Sequence, residues 1–116
     1  MICRTFFQFT QTGESVSSAN PQDLSPSQVW SELVEHLVDS DDFVGLMDAD
    51  DNVLQISRET PNAPYLVEVV LTDSRSSLVG ELQPDQMKTL LERLPSRFKA
   101  ATFSDFEPRA WNASAR

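Results

Sequence analysis

The sequence predicts an α+β fold, a mostly antiparallel sheet in the order β-α-β-β-β-β-α-β that carries two amphipathic helices. Three observations lead there. Two segments open with helix-entry signals and continue with apolar residues at helical spacing. Between them lie short runs rich in β-branched and aromatic residues, separated by turns of Asp, Asn, Ser and Pro. Strands joined by such short turns pair antiparallel, and one-sided helices cover a sheet on one face or at its ends.

The elements follow in order. Residues 2–10 read as a strand, with Phe7 and Phe9 alternating with Phe6, Gln8 and Thr10. Cys3, the single cysteine, is expected to be a small buried residue at the start of that strand, since only Arg4 nearby could activate a thiol. Residues 11–23 are Gly, Ser, Asn, Pro and Gln in large part, which predicts a mobile loop. A helix then starts at Ser25 as N-cap, with Pro26 at the first position, Gln28 completing a capping box and Leu24 stapled to Val29. Val29, Trp30, Leu33, Val34 and Leu37 form its apolar face, and it is expected to end near Ser40.

Strands are predicted at 43–47 and 53–57, around the turn Asp48-Ala49-Asp50-Asp51-Asn52, and again at 65–72 and 77–82 around a turn at 73–76. A second helix opens at Gln83-Pro84-Asp85-Gln86, with Met87, Leu90, Leu91 and Leu94 as its stripe and Pro95 as its stop. A last strand is expected over 97–106, carried by Phe98, Ala101, Phe103 and Phe106, followed by a polar tail over 107–116. A chain of 116 residues fits one domain, expected to span 1–116, and its 40% apolar content suffices for one core.

Charge carries the functional information. The formal net charge is −9, and it is unevenly placed. No Lys or Arg lies between Arg4 and Arg58, a stretch that holds ten acids, whereas acids and bases balance from Arg58 onward. Eight of those acids fall within twenty residues: Glu32, Glu35, Asp39, Asp41, Asp42, Asp48, Asp50 and Asp51. Ordinary solvated surfaces mix the two signs, so this run is read as a partner-binding face for a basic protein. The same imbalance argues against nucleic acid and anionic membrane as partners, because phosphates need bases to meet them. No secretory leader or membrane span is visible, and the chain is expected to be cytoplasmic.

Catalytic and metal patterns are thin. Asp48, Asp50, Asn52 and Glu59 match positions 1, 3, 5 and 12 of a calcium-binding EF-hand loop, but Val53 stands where the loop needs Gly, and the flanks read as strands. His36, the one histidine, sits on the polar side of the first helix and is expected to be an exposed surface residue. One Cys and one His cannot make a zinc site, and the three glycines are isolated, so there is no phosphate loop. No catalytic residue, metal or cofactor is expected.

The helix Val29-Trp30-Ser31-Glu32-Leu33-Val34-Glu35-His36-Leu37, the runs Phe43-Val44-Gly45-Leu46 and Val53-Leu54-Gln55-Ile56, the strand Tyr65-Leu66-Val67-Glu68-Val69-Val70 and the helix start Pro84-Asp85-Gln86-Met87 together form a layout. That layout resembles bacterial immunity proteins, the antidotes to polymorphic toxins delivered by contact-dependent or type VI secretion systems. The resemblance spans residues 25–95 and implies an α+β inhibitor that binds a cognate toxin and blocks its site. A toxin acting on nucleic acid presents a positive site, which an acidic antidote complements. Two other expectations stand beside it: an acidic adaptor or chaperone-like protein-binding module that uses an apolar groove, and a phage-type inhibitor that mimics nucleic acid.

Overall fold

Strand β1 (Cys3–Phe9) takes two partners along one edge and a third along the other in the computed structural model, which describes residues 2–72 and 75–110. Strand β2 (Glu14–Val16) folds back on its second half, with Phe7 opposite Val16. Strand β3 (Gln22–Leu24) lies against its first half, with Cys3 opposite Leu24. The sequence predicts a loop across 11–23; β2 falls inside it, and β3 takes its last two residues together with Leu24. They are short and polar, so no alternation announces them; the unpaired backbone groups along the edge of β1 are what they satisfy. Gly13 makes the hairpin, with φ 75° and its N–H on the Phe9 carbonyl at 2.9 Å.

On the other side of β1 come β4 (Phe43–Met47), β5 (Val53–Ser57), β6 (Tyr65–Leu71), β7 (Ser76–Leu82) and β8 (Glu107–Ala110). Every neighbouring pair is antiparallel, and the path is β2-β1-β4-β5-β6-β7-β8 with β3 beside β1, an eight-stranded sheet. With the helices below, this is the α+β architecture expected. Of the predicted turn at 73–76, Asp73 and Ser74 lie outside the described residues, as do residues 111–116 of the predicted tail.

The first helix, α1, is composite: an α turn at Pro26–Gln28, a π segment at Val29–Leu33 and a 3-10 turn at Val34–His36. Its start is as expected. The Ser25 hydroxyl accepts the Gln28 N–H at 3.3 Å, and the Gln28 side chain accepts the Ser25 N–H at 2.9 Å. Its end is earlier than the predicted Ser40, because Leu33 leaves helical geometry (φ −125°, ψ −66°) and Leu37 is already extended. The wider π turn brings Val29, Leu33, Val34 and Leu37 all into the core, so burial overrides the regular backbone ladder. Helix α2 (Pro84–Glu92) begins with the Gln86 side chain accepting the Gln83 N–H at 2.8 Å, and it buries Met87 and Leu91. Among the described residues no helix is long and apolar enough to cross a membrane.

The predicted last strand at 97–106 is a correction. That stretch holds a 3-10 turn at Ala100–Phe103, and the final strand is β8, inside the predicted tail. The spacing of Phe98, Phe103 and Phe106 is that of a coiled plug and not of alternation. Phe103 stacks edge-on against Phe98 and tilted against Phe106, at 6.1 and 5.5 Å between centroids. Phe106 lies over Gly80, where a Cβ would come within 2.7 Å of its ring. Strand β8 is the last in the sheet among the described residues, and an edge strand is where a proline such as Pro108 is tolerated.

One sheet face carries the core. Phe7, Val44, Leu46, Leu54, Ile56, Val67, Val69 and Leu78 pack there with Val29, Val34, Leu37, Met87, Leu91 and Phe98. On the opposite face Phe6 covers Gly45, its cross-strand partner, and meets Phe43 edge-on at 6.1 Å.

Candidate functional site

The eight acids of the sequence run do not form one surface. Strand β4 separates them: Asp39, Asp41 and Asp42 precede it, and Asp48, Asp50 and Asp51 follow it. Five extended residues put roughly 17 Å between the two groups.

At the far end of β4, the acids serve the fold. Asp48 is 4% exposed, and both its oxygens are filled. Oδ1 accepts the Asp50 and Asn52 N–H groups at 2.9 and 2.8 Å; Oδ2 accepts the Asn52 amide at 3.0 Å and the Phe98 N–H at 2.6 Å. Burial on its own would push this carboxyl up, but the hydrogen bonds from Phe98, Asn52 and Asp50 outweigh it and hold the group below the ordinary carboxylate value. Asn52 passes the connection on, its Oδ1 accepting the Thr72 N–H and hydroxyl at 2.9 and 3.1 Å. Asp50 pairs with Arg97 at 2.5 Å, and Asp51, in the left-handed region at φ 63°, pairs with Arg4 at 2.9 Å. Arg4 also donates to the Asp48 carbonyl. The EF-hand spacing therefore has another meaning: Asp48 and Asn52 bind N–H groups, and Glu59 lies beyond the opposite end of β5. Among the described residues no three His, Cys, Asp or Glu side chains group as metal ligands.

At the near end of β4, three of the acids stay exposed. Glu32 and Glu35 are exposed on α1, and Asp41 is exposed in the following turn, where the Asp39 carboxylate accepts its N–H at 2.9 Å. His36 is exposed, with Nε2 3.0 Å from the Ser31 carbonyl. Asp42 is 1% exposed, and its Oδ1 accepts both the N–H and the hydroxyl of Thr10 at 2.9 Å. A cleft of about 300 Å³ opens between the β1–β2 hairpin and the end of α1. Phe9 and Val38 supply its apolar lining, and Glu14, Glu32, His36 and Asp42 its titratable groups. Among the described residues no Lys or Arg lines it. Glu35 acts elsewhere, close enough to Tyr65 for its charge to be felt there. Burial raises the Tyr65 hydroxyl, Arg58 opposes that, and Glu35 adds to it.

Glu14 is the residue that reading the run missed. It belongs to the same base-free stretch, but it lies eighteen positions before Glu32, in a segment predicted to be loop. Only the β1–β2 hairpin carries it to the cleft. A second cavity, about 470 Å³, runs between α2 and the Ala100–Phe103 turn, with Leu82, Leu90, Phe103 and Phe106 as its apolar lining. No family model, no curated protein and no solved structure matches this chain.

Proposed function

We propose that this chain is an immunity-type inhibitor, a binding protein that neutralises a bacterial protein toxin through the acidic end formed by Glu14, Glu32, Asp39 and Asp41 around the Asp42 cleft. One observation carries the reading. The carboxylates at the Asp48 end are hydrogen-bonded or paired with arginines, whereas at the other end of β4 Glu14, Glu32 and Asp42 line a cleft that, among the described residues, no Lys or Arg lines. A one-signed surface of this kind steers a basic partner and rejects phosphate-bearing ones. The chain acts by occupation and not by catalysis: the one histidine, which a serine or cysteine nucleophile would need as its base, donates its Nε2–H to the Ser31 carbonyl.

The test is protection and binding together. Growth of a bacterial host producing a toxin encoded beside this chain's gene should be restored by co-expressing the chain, through a stoichiometric complex. The variant Glu14→Gln/Glu32→Gln/Asp39→Asn/Asp41→Asn should weaken that complex at least about tenfold, mainly in the association rate and less so at high salt. Asp50→Asn/Asp51→Asn should leave it intact. Equal binding by both variants would remove the acidic end from the function. The groove beside α2 supports a second reading, an adaptor for an apolar segment; binding of that kind would survive both high salt and the fourfold variant.

A further inference from the structure

Asp42 combines two properties that pull against each other: it is 1% exposed, yet half of its carboxylate is unused. Oδ1 takes both hydrogen bonds from Thr10, and Oδ2 takes none. No fully buried side-chain oxygen or nitrogen among the described residues lacks a partner. Oδ2 is therefore the atom through which Asp42 meets the cleft it lines. A carboxylate oxygen that borders a cleft, on a residue otherwise enclosed, and that has no donor from its own chain is an open acceptor for a cation or an N–H group.

We infer that the cleft takes one arginine side chain from the partner, an inference that rests on the proposed inhibitor function and names the chemistry of its contact. The guanidinium donates to Asp42 Oδ2, with Glu32 and Glu14 at the rim as further acceptors. Phe9, half-buried and packed against Phe7, lines the cleft with aromatic surface, and Val38 offers apolar surface to the stem. A cleft of about 300 Å³ is at the small limit of ligand pockets, which suits one long side chain and not a folded element. Arginine is favoured over lysine because its planar fork can reach the Asp42 oxygen and a rim carboxylate together while packing on that aromatic surface.

The probe is a set of capped tripeptides, acetyl-Gly-X-Gly-amide with X arginine, lysine or citrulline, titrated into the full chain and followed by amide NMR. Arginine should give saturable shifts at Phe9, Thr10 and His36, lysine should bind several-fold more weakly, and the neutral isostere citrulline should give none. Asp42→Asn keeps the Oδ1 acceptor for Thr10 and replaces only the free oxygen, so it should fold as the wild type and lose at least about tenfold in arginine affinity. Undiminished binding by Asp42→Asn, or an equal response to citrulline, overturns the inference; equal binding of lysine overturns the choice of arginine. The two readings fail separately. A chain that binds the arginine peptide but no toxin keeps the cleft and loses the inhibitor function. One that binds toxin through its surface acids but ignores the peptide keeps the function and loses the cleft.

Discussion

Asp48 shows how much one short side chain can hold. Its carboxylate closes the β4–β5 turn on itself and ties it to Phe98, fifty residues on. Asp48→Ala removes the acceptor for four N–H donors, three of them in buried hydrogen bonds. The variant is expected to lose about 2–4 kcal/mol in urea denaturation. Asp48→Asn, which keeps one acceptor oxygen, should lose less. The pH dependence follows from the depressed carboxyl. Its folded-state value lies below the unfolded value of about 3.9, so its contribution is complete above that value and disappears as the pH falls through the folded one. The stability gap between wild type and Asp48→Asn should accordingly be flat from about pH 7 to pH 5 and shrink below about pH 4. A gap that grows on acidification would contradict the hydrogen-bond account.

At the scale of elements, the contact between β1 and β4 depends on a missing side chain. Phe6 and Gly45 are cross-strand partners, and a Cβ at Gly45 would stand 2.1 Å from the Phe6 ring. The ring is 9% exposed and already held edge-on by Phe43, so it has little room to move aside. Gly45→Ala is expected to destabilise by about 1–3 kcal/mol through overpacking. Combining it with Phe6→Ala should cost less than the two single changes added together, because removing the ring removes the clash. Strict additivity in thermal or denaturant melts would show that the two residues do not meet. Composite helix α1 teaches the same point differently: a local cap sets where it starts, and the demand to bury Leu33, Val34 and Leu37 together sets how it ends.

At the scale of the whole molecule, the uncompensated negative charge sits where α1, the β1–β2 hairpin and the start of β4 meet, while the Asp48 end carries its own arginines. Self-repulsion among Glu14, Glu32, Asp39 and Asp41 should therefore make the free chain more stable as salt rises from about 10 to 200 mM, by roughly 0.5 kcal/mol. Over the same range the proposed complex should weaken. Calorimetric melting of the free chain checks the first trend, and a fall in Tm with salt would mean that attractive pairs dominate the surface. Much of this architecture was legible in the residues. The strands at 43–47 and 53–57, both helix starts and the antiparallel meander follow from alternation, caps and turn chemistry, all of which act within a few residues. The strands β2, β3 and β8 were not legible, because their polar residues gain from pairing with a distant edge and not from any pattern of their own.

By itself, then, the sequence determined the fold class, the placement of its main elements and the concentration of negative charge in one half of the chain, because composition and short-range spacing are properties of neighbouring residues. Only the tertiary structure decided which of those carboxylates are free. Eight similar acids divide into surface, cleft and internal acceptors according to the donors brought to them: Thr10 to Asp42, Phe98 to Asp48, Arg97 to Asp50 and Arg4 to Asp51. Those donors arrive from thirty to fifty positions away, and a hydrogen bond or an ion pair forms by distance in space, which no local pattern of residues records.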